Sequence, residues 1–163
     1  MKIGILSDTH NNIEVTEKAI GIFAGHHIDL IVHAGDITSP RMLRLFKGHR
    51  CKFVLGNGDI DVEDLNAESQ RLGFGSIEES YTFEAGDKKI IVFHGYNVPQ
   101  FRMALASGEY SYIIKGHTHF FENYVSNKSR VVNPGSLYGA DEFSVAILDS
   151  ENGKVQRIVV EPE

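Results

Sequence analysis

Two imidazoles, His117 and His119, stand two residues apart in Gly116-His-Thr-His, directly after the apolar run Tyr110-Ser-Tyr-Ile-Ile-Lys. In an extended segment residues i and i+2 point to the same side, so the pair would face one point at a strand end. Paired imidazoles suit a transition metal such as Zn, Mn, Fe or Ni. Taken alone, the pair reads equally well as two solvated histidines in a turn. Four further polar clusters shift the balance, because each follows an apolar run: Asp8 with His10, then Asp36, Asn57 and His94. Asp36 could cap a turn, Asn57 could hold a tight Gly-Asn-Gly turn, and His94 could be a satisfied core histidine. Turn chemistry does not explain why all of them sit at successive strand exits.

Together these positions supply seven oxygen and nitrogen side chains: Asp8, His10, Asp36, Asn57, His94, His117 and His119. Seven are too many for one tetrahedral ion and suit two ions sharing a bridging carboxylate. Two ions roughly 3.5–4 Å apart can clamp the attacking and leaving oxygens of an in-line displacement. Two divalent ions would bring four positive charges. Asp8 and Asp36 offset two and a bridging hydroxide a third. Such a site stays cationic and attracts an anion, which points to a phosphate ester.

Positioning these residues requires strands that end at one edge. Lys2–Ser7, Asp29–His33 and Lys52–Leu55 read as buried strands. Between them, helices fit from Ile13 to near Gly25, with Asn11 or Asn12 as cap, and over Pro40–Phe46, with Ser39 as cap. The strand–helix alternation predicts parallel pairing with right-handed crossovers, whose carboxyl ends line a crevice. Asp61 to Gly75 is polar, helical at best, and reads as a flap. Tyr81–Ala85 and Lys89–Phe93 form a hairpin, Val98–Ala106 a short helix, and Phe120–Val125 and Arg130–Val132 further strands. A closing hairpin, Phe143–Leu148 with Val155–Val160, turns about Glu151-Asn152-Gly153. The expectation is one domain over residues 1–163 with two packed sheets flanked by helices.

Composition narrows the function classes. The chain has 163 residues, 42% hydrophobic and 23% charged, with a formal net charge of −6, as in a globular domain with a sizeable core. No Lys/Arg-rich block is present, which argues against stable nucleic-acid binding. No run is long enough to span a membrane and no signal peptide is recognisable. A lone cysteine, Cys51, suits a reducing, cytoplasmic setting.

Asp8-Thr-His10, Gly35-Asp36, Gly56-Asn57-Gly58-Asp59, His94-Gly95 and Gly116-His117-Thr118-His119 occur in the order of the calcineurin-like metallophosphoesterase motifs. The short chain and Asn133-Pro134-Gly135-Ser136 resemble the small YfcE-type phosphodiesterase branch. The resemblance runs from the first strand to about Ser136. It implies an α/β fold, a four-layer αββα sandwich of two mixed β-sheets flanked by helices. It implies that Asp8, His10, Asp36 and His119 hold one divalent ion and that Asp36, Asn57, His94 and His117 hold the other. Asp36 would bridge, Asn57 and Gly58 would meet the substrate, and Asp59 would orient a ligand histidine from outside. Mn²⁺ is the first expectation, with Fe, Ni or Zn also compatible. The implied reaction is hydrolysis of a small phosphate diester by a hydroxide bridging the metals, with no side chain as nucleophile. By analogy a homo-oligomer is allowed. Many family members carry a histidine after the motif asparagine to assist the leaving group; here that position is Gly58, a departure shared with the small branch. The rival is a non-catalytic, metal-binding scaffold of the retromer-subunit type. All seven positions carry competent ligands, which a scaffold need not keep. Specificity is expected from 61–75 and Asn97–Phe101.

Overall fold

The computed structural model describes residues 1–162. Two five-stranded sheets form its centre. In the first, β1 (Lys2–Leu6), β2 (Leu30–His33) and β3 (Cys51–Phe53) run parallel, and β9 (Ser144–Asp149) and β10 (Lys154–Val159) extend the sheet antiparallel in the order β10-β9-β1-β2-β3. In the second, β5 (Lys88–Phe93), β6 (Tyr112–Ile114) and β8 (Ser129–Pro134) run parallel, flanked by antiparallel β4 (Ser80–Ala85) and β7 (Phe121–Ser126) in the order β4-β5-β6-β8-β7.

The period-2 alternation of strand side chains separates three apolar layers. Ile3, Ile5, Leu30 and Val32 meet Ile90, Val92, Ile114 and Val132 between the sheets. On the outer face of the first sheet, Leu6 and Ile31 pack on helices α1 (Ile13–Gly25), α2 (Pro40–Leu45) and α3 (Val62–Arg71) through Phe23, Met42, Leu43 and Leu65. On the outer face of the second, Ile91, Phe93, Ile113 and Val131 pack on α4 (Val98–Ser107) through Ala104. The result is the expected αββα sandwich. Gly4 sets the spacing of its outer helix layer: a Cβ there would stand 2.9 Å from the Phe23 ring, so glycine lets α1 lie close on β1.

Six parallel strands therefore send their carboxyl ends to one edge, β1, β2 and β3 from one sheet and β5, β6 and β8 from the other. Each ligand-bearing motif sits in the loop directly after one of them.

Two local expectations are corrected. Asn12 occupies the N-cap of α1 but makes no side-chain capping bond; its Nδ2 donates to Leu137 O at 2.7 Å, tying the loop after β1 to the loop after β8. The 61–75 stretch is built on the docked helix α3 rather than being a flap. Leu65 is 1% exposed inside the core, and Glu68 accepts from Arg44 Nε (2.7 Å) on α2 and from Arg71 Nε (2.7 Å) on α3. One buried leucine and one shared carboxylate outweigh a polar composition, because only one face of a helix need be apolar. Leu65→Ala should cost about 2–5 kcal/mol, seen as a lower urea midpoint at unchanged m-value. A cost below about 0.5 kcal/mol would be that of an undocked surface stretch.

Candidate metal centre

Two loops form the base of the site. After β1, Asp8 N–H donates to Gly35 O (3.0 Å), and Thr9 and His10 N–H both donate to Asp36 O (3.1 and 3.2 Å). The backbone is forced to fit. Seven of the nine non-glycine residues with positive φ among the described residues are Asp8, His10, Asn11, Asp36, Thr38, His117 and His119. Such conformations cost of order 1–3 kcal/mol each and persist only where surroundings over-determine them.

Asp8 and Asp36 lie buried side by side under the imidazoles. His119 Nε2 is 3.3 Å from Asp8 Oδ1, and His10 Nε2 is 3.2 Å from Asp36 Oδ2. From the second sheet, His94 Nε2 reaches to 3.3 Å from Asp36 Oδ2 and 3.7 Å from Asp8 Oδ1. Donor atoms of Asp8, His10 and His119, and separately of Asp8, Asp36 and His94, lie within 4.8 Å of one another. The rings of His94 and His117 are 5.2 Å apart, but His117 falls outside both groups; Asn57 is exposed in the loop after β3.

His117 and His119 thus diverge, contrary to the i, i+2 expectation. Their segment is not extended: both have positive φ (72° and 62°), and Thr118 N–H closes a tight turn onto Gly116 O. His119 joins Asp8 and His10 on one side of the carboxylates, and His117 joins His94 on the other. The turn is held by Asn133, fully buried, whose Nδ2 donates to Gly116 O and to Thr118 Oγ1, each at 2.9 Å. Ser136 Oγ donates to Asp8 O at 3.1 Å. Asn133-Pro-Gly-Ser136 therefore acts through the loops that carry the ligands.

Among the described residues, Asp59 meets backbone amides in place of an imidazole. Its Oδ2 accepts from Asp36 N (3.0 Å) and Gly56 N (2.8 Å), and its Oδ1 from Thr38 N (2.6 Å). Burial raises its carboxyl above the ordinary value, against the amides that lower it. Gly58 N–H donates to Asp36 Oδ1 at 2.7 Å, so that amide is engaged by the carboxylate. Gly58 does not have positive φ, and a Cβ there would stand 3.1 Å from Asp36 Oδ1. A larger residue at 58 would crowd Asp36 rather than strain the turn.

The donors fit divalent cations. Asp8 Oδ1 and His94 Nε2 are buried without a hydrogen-bond partner, a state that is costly unless something else meets those atoms. His94 Nδ1 is 2.7 Å from Ala34 O. Donation to that carbonyl fixes the tautomer and leaves a lone pair on Nε2, the arrangement usual in metal-ligating histidines. The electrostatics agree. Burial by itself would lower His94, yet Asp36 and Asp8 raise it; the carboxylates demand positive charge. Burial would raise Asp36, yet His94, the Gly58 amide and His10 bring it down to about 2. His117 is lowered, first by burial and then by His94.

His33 had no role in the sequence reading. It is fully buried at the end of β2. Gly35 N–H donates to its Nδ1 (3.2 Å), so the ring proton sits on Nε2, 3.0 Å from Thr9 Oγ1, and the Thr9 hydroxyl donates to Asp36 O (3.3 Å). One neutral imidazole joins both carboxylate loops. A histidine ending a buried strand two residues before Gly-Asp was the available signal, and only its partners give it meaning. Burial, then nearby His94, lowers it to about 3. Below pH 6.5 the unfolded chain takes up a proton that the native ring refuses. Stability should therefore fall as pH drops from about 6.5 to about 3, by on the order of 1 kcal/mol per pH unit from this group. Urea unfolding of chelator-treated protein between pH 7.5 and 4.5 should give a smaller slope in His33→Gln. An equal slope in both proteins would remove His33 as the source.

Residues 1–153 match the Calcineurin-like phosphoesterase superfamily domain. A phosphodiesterase of Methanocaldococcus jannaschii is 32% identical over 99% of this chain and 100% of its own length. A solved archaeal phosphodiesterase superposes with a TM-score of 0.89 at 30% identity, covering 98% of this chain and 99% of that one. A phosphoesterase from E. coli, YfcE, shares the fold with a TM-score of 0.71 at 17% identity, over 99% of this chain and 100% of its own.

Proposed function

The chain belongs to the calcineurin-like phosphoesterase superfamily, and from that premise we propose that it is a dinuclear metal-dependent phosphodiesterase that hydrolyses a small phosphate diester with water. The reading is carried by Asp8 Oδ1 and His94 Nε2, two buried ligand atoms from different sheets that face each other with no hydrogen-bond partner. Asp8, His10, Asp36 and His119 would hold one ion, and Asp36, Asn57, His94 and His117 the other, with Asp36 shared. Divalent ions bound there would supply Lewis acidity and acidify water at neutral pH. Mn²⁺ is the first candidate and the cytoplasm the proposed setting.

The chain's own groups do the rest. Asp36 stays ionised far below neutral pH, so it offers negative charge to a cation at any working pH. His94 is held in one tautomer by Ala34 O. Asp59 holds the backbone amides of Asp36 and Thr38 in one loop and of Gly56 in the next. In the reaction, a water oxygen bonds to phosphorus, one P–O ester bond breaks, and the alcohol or phenol departs. Gly58 has no side chain to protonate it, so esters of acidic phenols should react best.

The test is hydrolysis of bis(4-nitrophenyl) phosphate with metal content measured in parallel. Chelation and dialysis should abolish activity and Mn²⁺ restore it. Asp36→Ala should lose both ions and more than about 100-fold in kcat/KM. Asp59→Asn should weaken metal binding by about 10- to 100-fold, the usual effect of disturbing a group that orients ligands. Full activity in protein shown metal-free by elemental analysis would refute the metal mechanism. Metal-loaded protein inert towards every diester tried would favour a scaffold role.

A further inference from the structure

Beside the candidate centre lies a second cavity, of about 270 Å³, whose wall includes His119. The ring of His119 borders both spaces. Its Nε2 faces Asp8 Oδ1, and its Nδ1 lies 3.4 Å from Gly139 O on the cavity side. Beyond it stand Phe120, Phe121, Asp141, Glu142 and Arg157.

Three features define what this space can take. Phe120 is 73% exposed, a large apolar ring next to a candidate ligand, and such a ring gains by being covered with another flat surface. Arg157 is paired with Glu142, and its guanidinium lies 5.6 Å from the centre of the Phe121 ring. Its charge is spent locally, and its side chain belongs to the cavity wall. With Asp141 and Glu142 against Arg157 alone, the lining carries one net negative charge. A second phosphate would be repelled, and an uncharged group accepted. At about 270 Å³, near the lower end of small-molecule sites at roughly 300 Å³, the cavity suits one ring system rather than a polymer.

We propose that this cavity is the subsite for the substituent that stays on phosphorus, and that it takes a planar, uncharged ring, an aryl group or a nucleobase, covering Phe120. The proposal rests on the phosphodiesterase reading above. It moves specificity away from 61–75 and Asn97–Phe101. The first of these is built on a docked helix, and the cavity against α4, formed by Asn97, Gln100 and Met103, includes none of the candidate ligands.

Methyl 4-nitrophenyl phosphate, bis(4-nitrophenyl) phosphate and thymidine 5′-(4-nitrophenyl phosphate) share a leaving group and differ in what remains. With Mn²⁺-loaded protein of verified metal content, the diester with a retained ring should exceed the methyl diester in kcat/KM by roughly 5- to 100-fold, the range that one base–aromatic stack supports, mainly through KM. Preference for the aryl or for the thymidine diester identifies the source of the ring. Phe120→Ala should collapse the ratio towards one and Phe120→Trp should keep it; the exposure of Phe120 makes both variants tolerable to the fold. A readout independent of turnover is thymidine and 4-nitroanisole, each titrated into ¹⁵N-labelled metal-free protein. The preferred one should shift the amides of Phe120, Phe121 and residues 139–142, and should not in Phe120→Ala. If the methyl diester is cleaved as fast as the other two and neither probe shifts these amides, the subsite is wrong while the phosphodiesterase reading stands. If no diester is cleaved by metal-loaded protein, that reading fails and the subsite falls with it.

Discussion

The carbonyl oxygen of Asp36 accepts from the amides of both Thr9 and His10, while Gly35 O takes the amide of Asp8. The rest of the site hangs from this splice of two loops. It sets the Asp8 and Asp36 side chains next to each other, and it holds because β1 and β2 are paired in parallel, Leu6 opposite His33, immediately before the loops diverge. His33 seals the splice from below through Thr9. Asp59 braces it from the loop after the third strand through the amides of Asp36 and Gly56.

Two buried carboxylates held together repel each other and need cations. The second sheet answers that need. Its strands bring His94 and the 116–119 turn across the sandwich, and His94 docks on Ala34 O while His117 N–H donates to Asp8 Oδ2 at 3.1 Å. Imidazoles from both sheets surround the acids, yet Asp8 Oδ1 and His94 Nε2 make no hydrogen bond of good geometry. An acidic protein thereby gathers buried carboxylates and imidazoles whose physical complement is divalent metal.

The strain of the loops is carried by the layers beneath them. Positive φ at Asp8, His10, Asp36, His117 and His119 is unfavourable for side-chain-bearing residues. Three close-packed apolar layers, with Gly4 admitting Phe23 onto β1, make the strand ends rigid enough to impose it. Small residues matter in the loops too: a Cβ at Gly116 would stand 1.9 Å from Ser7 Oγ, and one at Gly56 2.1 Å from Asp36 Oδ1.

The sequence by itself determined the ligand-type residues, the strands they follow and the layered α/β class. Those are local properties: side-chain chemistry at fixed positions and apolar periods of two or 3.6 residues. It also held a misleading local rule, since the i, i+2 spacing of His117 and His119 points both rings one way only if the backbone is extended. The tertiary structure decided otherwise, because Asn133, seventeen residues after Gly116, pulls the turn into left-handed φ. The same long-range bonding gave Asp59 three amides in place of a histidine and gave His33 a partner in Thr9, and it docked the polar helix α3 through Leu65. Composition and periodicity describe each segment's preferences. Which buried atom meets which depends on contacts between segments far apart in the chain, and these are set only when the two sheets pack.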